Sequence, residues 1–183
     1  MIYNNEDAEK RAIMQVADLM LAAARTAPKG CGIDNLVTMI VDGEEKDKLA
    51  DAMRKIAKDT STDFFARDAG NVDASPAVVL VGTYNRPLGL DNCSLCGFAN
   101  CVETKKAGAN CAFNVNDLGI ALGSAVSTAA AHKIDNRIMF SVGKAALKLN
   151  YLPEDVSVVF GIPLSTTSKS IFFDRDSKSV LSE

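Results

Sequence analysis

The chain has 183 residues, 48% hydrophobic and 23% charged, with 20 Lys and Arg against 23 Asp and Glu for a net charge of −3; it holds five Cys, one His and no Trp. These proportions belong to an ordinary globular domain and exclude intrinsic disorder and collagen-like or coiled-coil repeats. The slightly acidic balance, without a basic block, argues against a nucleic-acid footprint and a membrane-surface patch, and no stretch of about 18 apolar residues offers a membrane span.

A chain this long buries roughly 70% of its unfolded surface, so its core needs neither disulfides nor a metal to form, and one domain over residues 1–183 is expected. The first residues, Met1-Ile2-Tyr3-Asn4-Asn5-Glu6-Asp7, carry acids where a secretion signal carries positive charge before an apolar stretch, so the expected location is cytoplasmic. In that reducing compartment, clustered thiols point to metal ligands or redox centres more than to a disulfide framework.

Apolar residues at three- and four-residue steps (Ala8, Ala12, Ile13, Val16, Leu19, Met20, Ala23) predict a helix over 6–26, broken by Pro28-Lys29-Gly30-Cys31-Gly32. A strand over 36–41 follows, closed by an Asp42-Gly43 turn, and then a charged helix over 44–58. Residues 64–73 are ambiguous. The apolar run Ala77-Val78-Val79-Leu80-Val81 suits a strand buried on both faces, at the centre of a sheet.

Residues 82–97 mix Gly, Pro and Asn without periodicity and read as a long loop. Asn116-Asp117 is expected to cap a helix of small residues ending near His132, and Asp135-Asn136 to start another running to Leu149. A strand over 156–160 ends at Gly161-Ile162-Pro163, and a last short strand is expected over 170–173. Helices and strands thus mix in one α+β layer structure, with a cysteine-rich segment embedded at 83–115.

That segment carries the chemistry. Cys93, Cys96, Cys101 and Cys111 are separated by two, four and nine residues, so four thiols fall within nineteen positions. A two-residue gap lets both sulfurs of a tight turn face one point, and Gly97 lets the backbone turn left-handed and approach inorganic sulfide. If Phe98 begins a helix, Cys101 lies in its first turn, where the positive helix end faces an anionic centre. Three readings compete: zinc, which usually pairs two closely spaced Cys-x-x-Cys turns; thiols without a metal, which leaves their clustering unexplained; and an iron–sulfur cluster on four thiolates, with [4Fe–4S] favoured because plant-type [2Fe–2S] loops place the four-residue gap first.

The stretch Asn92-Cys93-Ser94-Leu95-Cys96-Gly97-Phe98-Ala99-Asn100-Cys101 resembles the compact [4Fe–4S] domain of corrinoid-protein and electron-transport subunits. Together with Asp117-Leu118-Gly119-Ile120-Ala121-Leu122-Gly123-Ser124-Ala125 and Asp135-Asn136-Arg137-Ile138-Met139, it resembles a prokaryotic family of uncharacterised proteins containing a ferredoxin domain. The resemblance implies Cys93, Cys96 and Cys101 as cluster ligands. The last gap of the compact domain is longer than the nine residues here, so this chain departs from the pattern at the fourth ligand, for which Cys111 is expected, with Cys31 or water as alternatives.

A fainter likeness covers the scaffold. Ala24-Arg25-Thr26-Ala27-Pro28-Lys29-Gly30, the strand to Val41, the small-residue helix after Asp117 and Val158-Val159-Phe160-Gly161-Ile162-Pro163 are similar in order and spacing to flavin-dependent nitroreductases. That likeness implies a three-layer sandwich with a mixed or antiparallel central sheet flanked by helices, an intertwined homodimer, and FMN near the dimer interface. Lys29 and Gly30 are the candidate flavin contacts, with a plain helix C-cap as the other reading. The arginine-rich segment that grips flavin phosphate is not evident, and Lys29 and Gly32 replace the Ser and Asn of the family's Ala-Pro-Ser-Gly-x-Asn loop.

The expected function is therefore iron–sulfur electron transfer, extended to a flavin-assisted reductase if FMN also binds, with an unknown redox partner or small-molecule substrate. The alternative is a non-enzymatic sensor or interaction module stiffened by a cluster or by zinc. Cys31 alone reads as a small hydrophobe or a reactive thiol, and His132 as a favourable cation at a helix end.

Overall fold

The computed structural model describes residues 2–173. Four antiparallel strands, β1 (Leu36–Asp42), β2 (Ala77–Tyr84), β3 (Asp135–Asn136) and β4 (Val156–Ser165), form one sheet in the order β1-β2-β4-β3. Helices α1 (Asn5–Thr26) and α5 (Ala112–Ala131) cover one face; α2 (Gly43–Thr60), α3 (Phe64–Asp73) and α6 (Phe140–Lys148) cover the other. The short helix α4 (Cys101–Lys106) stands in the segment between β2 and α5. Sheet sandwiched between two helical layers is the expected architecture, and the sheet is antiparallel throughout.

The inner strand β2 explains why the sandwich needs both layers. Ala77, Val79 and Val81 pack toward α1 and α5, whereas Val78 and Leu80 pack toward α2 and α6, all five fully buried. Alternate side chains of a strand point to opposite faces, so an unbroken apolar run must be covered twice. The ambiguous stretch at 64–73 folds as α3, whose Phe65, Ala69 and Val72 join the second face.

Several boundaries differ from the sequence reading, each because a distant partner outweighs a local signal. Asn116 and Asp117 do not cap α5, which begins five residues before Asp117; that side chain is buried and accepts the Gly30 N–H at 3.0 and 3.1 Å. Asp135 and Asn136 do not open a helix, because they pair with Ser165 and Leu164 at the sheet edge, and α6 starts at Phe140. Residues 171–173 form a turn in place of the expected strand, with Phe172 buried in the second core and its N–H donated to Ser170 Oγ at 3.4 Å.

Strand β2 runs past Gly82, which lies so close to Val159 and Val156 of β4 that an added Cβ would meet both at about 3 Å. Strand β4 likewise continues to Ser165. Its Pro163 pairs with Val78 and falls between the β3 pairing and the single Met139–Gly161 bridge, where no ladder hydrogen bond is lost.

Candidate metal centre

The cysteine segment leaves the sheet at the end of β2 and is tied down there by amides. Asn114, one turn into α5, donates from Nδ2 to the carbonyls of Tyr84 at 3.0 Å and Arg86 at 2.9 Å. Asn35, just before β1, donates to Arg86 O and to Asn114 Oδ1, each at 3.3 Å. Both asparagines are buried, so these bonds satisfy groups that would otherwise be costly to desolvate. The Arg86 guanidinium meanwhile bonds Asp155 and stacks over the Tyr84 ring.

Beyond this base the backbone turns sharply. Asn92, Ser94 and Gly97 all have positive φ, at 56°, 46° and 83°, and the Gly97 N–H closes the Cys93–Cys96 turn onto Ser94 O at 3.0 Å. Glycine adopts positive φ without a Cβ penalty, which accounts for Gly97 directly after Cys96. Helix α4 begins at Cys101 and not at Phe98: Asn100 is its N-cap, accepting from the N–H groups of Val102 and Glu103 at 3.0 Å each. Cys101 is therefore the first helical residue, and Cys111 is the residue just before α5.

This folding gathers the four cysteines. Cys93, Cys96, Cys101 and Cys111 all line one cavity of about 90 Å³, together with Phe98 and Thr104 among others. Cys111 is buried and the other three are partly exposed. The thiols surround the space without converging on a point: among the described residues no three Cys, His, Asp or Glu groups are placed to hold one metal ion. Cys31 is exposed, in a left-handed conformation on the Gly30–Gly32 turn, and is not among the residues lining the cavity.

Cys96 has a partner of its own. Its sulfur lies 3.0 Å from Thr104 Oγ1, and this hydrogen bond, with a second from the Phe98 backbone, holds its pKa below the ordinary thiol value. Sequence reasoning missed Thr104 and Asn114, because neither stands in a motif and both act through residues distant along the chain. It also passed over Asn100, although Asn100 followed three residues later by Glu103 is a legible helix-start signal.

Lys29 and Gly30 are committed elsewhere. The Lys29 ammonium donates to the carbonyls of Ala24, Arg25 and Ala27, closing the C-terminus of α1, and the Gly30 N–H is held by Asp117. A Cβ at Gly30 would meet Leu88 and Phe113 at 3.1 Å each. With the cation spent on helix carbonyls and a buried carboxylate facing the amide, these two residues do not fit a flavin phosphate.

An uncharacterised protein from Archaeoglobus fulgidus is 44% identical over 187 residues, covering 97% of this chain and all of its own length. The profile of the family described as uncharacterised proteins containing a ferredoxin domain matches residues 107–175. The chain belongs to this family. The matched region holds Cys111 and all of α5 but begins after Cys101, so Cys93, Cys96 and Cys101 lie outside it.

Solved structures show the fold. The nitroreductase CinD from Lactococcus lactis in complex with chloramphenicol superposes with a TM-score of 0.60 at 16% identity, over 85% of this chain and 79% of that one. An FMN-dependent nitroreductase from Clostridium difficile gives 0.54 at 15% identity, over 85% and 76%. The hypothetical oxidoreductase YcnD from Bacillus subtilis gives 0.57 at 15% identity, and this chain spans 58% of its length. The scaffold is a nitroreductase-like α+β sandwich. No described helix is long and apolar enough to cross a membrane.

Proposed function

We propose that this protein is an iron–sulfur electron carrier, in which Cys93, Cys96, Cys101 and Cys111 hold a [4Fe–4S] cluster within the segment 83–115 of a single domain spanning 1–183. The observation that carries this reading is that all four thiols line one small cavity. An all-thiol donor set suits iron–sulfur chemistry. The spacing of two, four and nine residues suits a cluster better than tetrahedral zinc, which usually pairs two closely spaced Cys-x-x-Cys turns. The ferredoxin-domain description of the family supports the same chemistry.

Such a cluster supplies one-electron transfer when bound. The chain's own residues prepare for it. Thr104 and the Phe98 N–H favour Cys96 as a thiolate, Asn100 fixes the helix end that presents Cys101, and Asn114 with Asn35 ties the segment to the sheet. An FMN-dependent neighbour of the fold supports an oxidoreductase role, and the electron route proposed runs through the cysteine cluster, with Lys29 and Gly30 tied to α1 and Asp117.

The working form is a cytoplasmic homodimer. Its support is α5, a 20-residue helix whose only charged residue is the buried Asp117 and whose exposed Asn116, Gly119, Ile120, Gly123 and Ser127 offer an uncharged face to a second copy. Light scattering on the full chain tests the dimer. Anaerobic reconstitution with iron and sulfide tests the centre: a cluster reducible by one electron is expected, lost in Cys96→Ser and retained in Cys31→Ser. A chain that takes up zinc and shows no electron uptake would favour a metal-stabilised module.

A further inference from the structure

Residues 87–109 carry Cys93, Cys96 and Cys101, yet they belong to neither face of the core. None of their side chains joins the apolar packing on either side of the sheet, and Thr104 is the one buried residue among them. Its side-chain bonds stay local, to Cys96 Sγ and Asn100 O. Among the described residues, every hydrogen bond and ion pair made by 87–109 ends within that stretch, as with Ser94 Oγ on Ala99 O, the Gly97 N–H on Ser94 O and Lys106 on Glu103.

The stretch is tethered at its ends. Before it, the Asn85 N–H donates to Asp155 O at 2.9 Å and Arg86 O accepts from Asn35 and Asn114; after it, Ser157 Oγ donates to Asn110 Oδ1 at 2.6 Å. Near the first tether, half-buried Leu88 fills with Phe113 the space beside Gly30. The helix inside the stretch, α4, has six residues, too few to be stable alone. Asn92 and Ser94 hold positive φ, which adds strain. Cys111 stands across this division: it is buried, immediately before α5, whose Leu118, Ala121 and Ala125 are fully buried in the core.

We propose that residues 87–109 form a latch that opens transiently while the sandwich stays folded, and that binding of the cluster shuts it, because Cys93, Cys96 and Cys101 ride on the latch and Cys111 on the body. A group that binds only the closed form favours that form by mass action. The shutting rests on the function proposed above; the separate opening does not. Loss of the cluster thereby becomes a change of shape, in which Leu88 leaves Gly30 and Cys111 is bared.

Hydrogen–deuterium exchange read by mass spectrometry on the full-length protein, metal-free and after anaerobic reconstitution with iron and sulfide, tests both parts. In the metal-free chain the amides of α4 should exchange about tenfold or more faster than those of β2 and α5. Loading should slow α4 by about tenfold or more and leave β2 and α5 unchanged. Metal-free α4 amides as slow as those of β2 overturn the proposal, and so does a loaded chain in which α4 is unchanged or in which β2 and α5 slow as much as α4. A chain that takes up no iron defeats the function proposed above and the shutting with it, while the metal-free comparison decides the opening by itself.

Discussion

Cys96 Sγ and Thr104 Oγ1 lie 3.0 Å apart, and Thr104 is 99% buried while also within 3.1 Å of the Asn100 carbonyl. A hydroxyl has one proton to donate. When Cys96 is a thiol, its S–H faces the hydroxyl oxygen and the Thr104 proton goes to Asn100. When Cys96 is a thiolate or metal ligand, the hydroxyl turns to the sulfur, and Asn100 O keeps the Thr104 N–H at 3.2 Å. The protein can thus stabilise either state of the sulfur without leaving a buried group unpaired.

Replacing Thr104 by Val keeps the volume and removes the donor. Cys96 of the metal-free chain should then begin to react with iodoacetamide only at higher pH than in the wild type, since the hydrogen bond lowers its pKa. Thr104→Ser should restore the profile. Peptide mass spectrometry across a pH series reads this at each cysteine separately, and coincident Val and wild-type profiles at Cys96 would contradict the assignment. In cluster-loaded protein the same Val variant should have the lower reduction potential, because a hydrogen bond to a ligand sulfur favours the reduced, more negative state.

Asn114 is 2% exposed and serves two carbonyls at the base of the cysteine segment. Asn114→Ala leaves those carbonyls without their side-chain donor and should cost about 1–3 kcal/mol in urea unfolding. It should also speed proteolysis within 87–100, because the segment loses its attachment to α5. Unchanged stability together with unchanged cleavage would show that the amide network does not position the segment.

Gly143 of α6 lies against β4 so closely that an added Cβ would strike the Val159 carbonyl. Neither backbone yields easily, so Gly143→Ala should destabilise the fold by about 3 kcal/mol or more, the upper range for overpacking. At Gly119, where nothing lies within 4 Å of an added Cβ, the same change should be nearly neutral or stabilising in the isolated chain. Thermal unfolding of the pair gives an internal comparison.

Tyr151 donates its hydroxyl to Glu45 O at 2.9 Å and Oε2 at 2.8 Å. Partial burial, then the Glu45 carboxylate, raises its pKa from the ordinary value of 10.0 to about 12. The folded state therefore holds this proton more tightly than the unfolded chain. Its contribution to stability is fully present below pH 10 and fades as pH rises toward 12. Ultraviolet titration of wild type minus Tyr151→Phe should show the missing phenol ionising near the upper value, and ionisation near 10 would remove the effect.

The legible parts of this molecule were those written in local patterns. The helical period of α1, the doubly buried run of β2 and the four spaced cysteines each announce themselves within about twenty residues. What misled were capping signals with a second use. Asp117 looks like an N-cap but answers Gly30, 87 positions away, and Asp135-Asn136 looks like a helix start but closes a sheet edge. Thr104 and Asn114 carried no signal at all, since a lone Thr or Asn gains meaning only when folding brings its partner near. The flavin expectation at Lys29 and Gly30 rested on position in a motif, and the side-chain bonds there point inward to α1 and Asp117.

Elemental analysis of the full-length protein purified without oxygen decides whether the four thiols of one cavity hold an iron–sulfur cluster. About four irons and four acid-labile sulfides per chain are expected, with zinc near zero, and Cys96→Ser should lose both iron and sulfide. One zinc per chain with no sulfide would rule the cluster out.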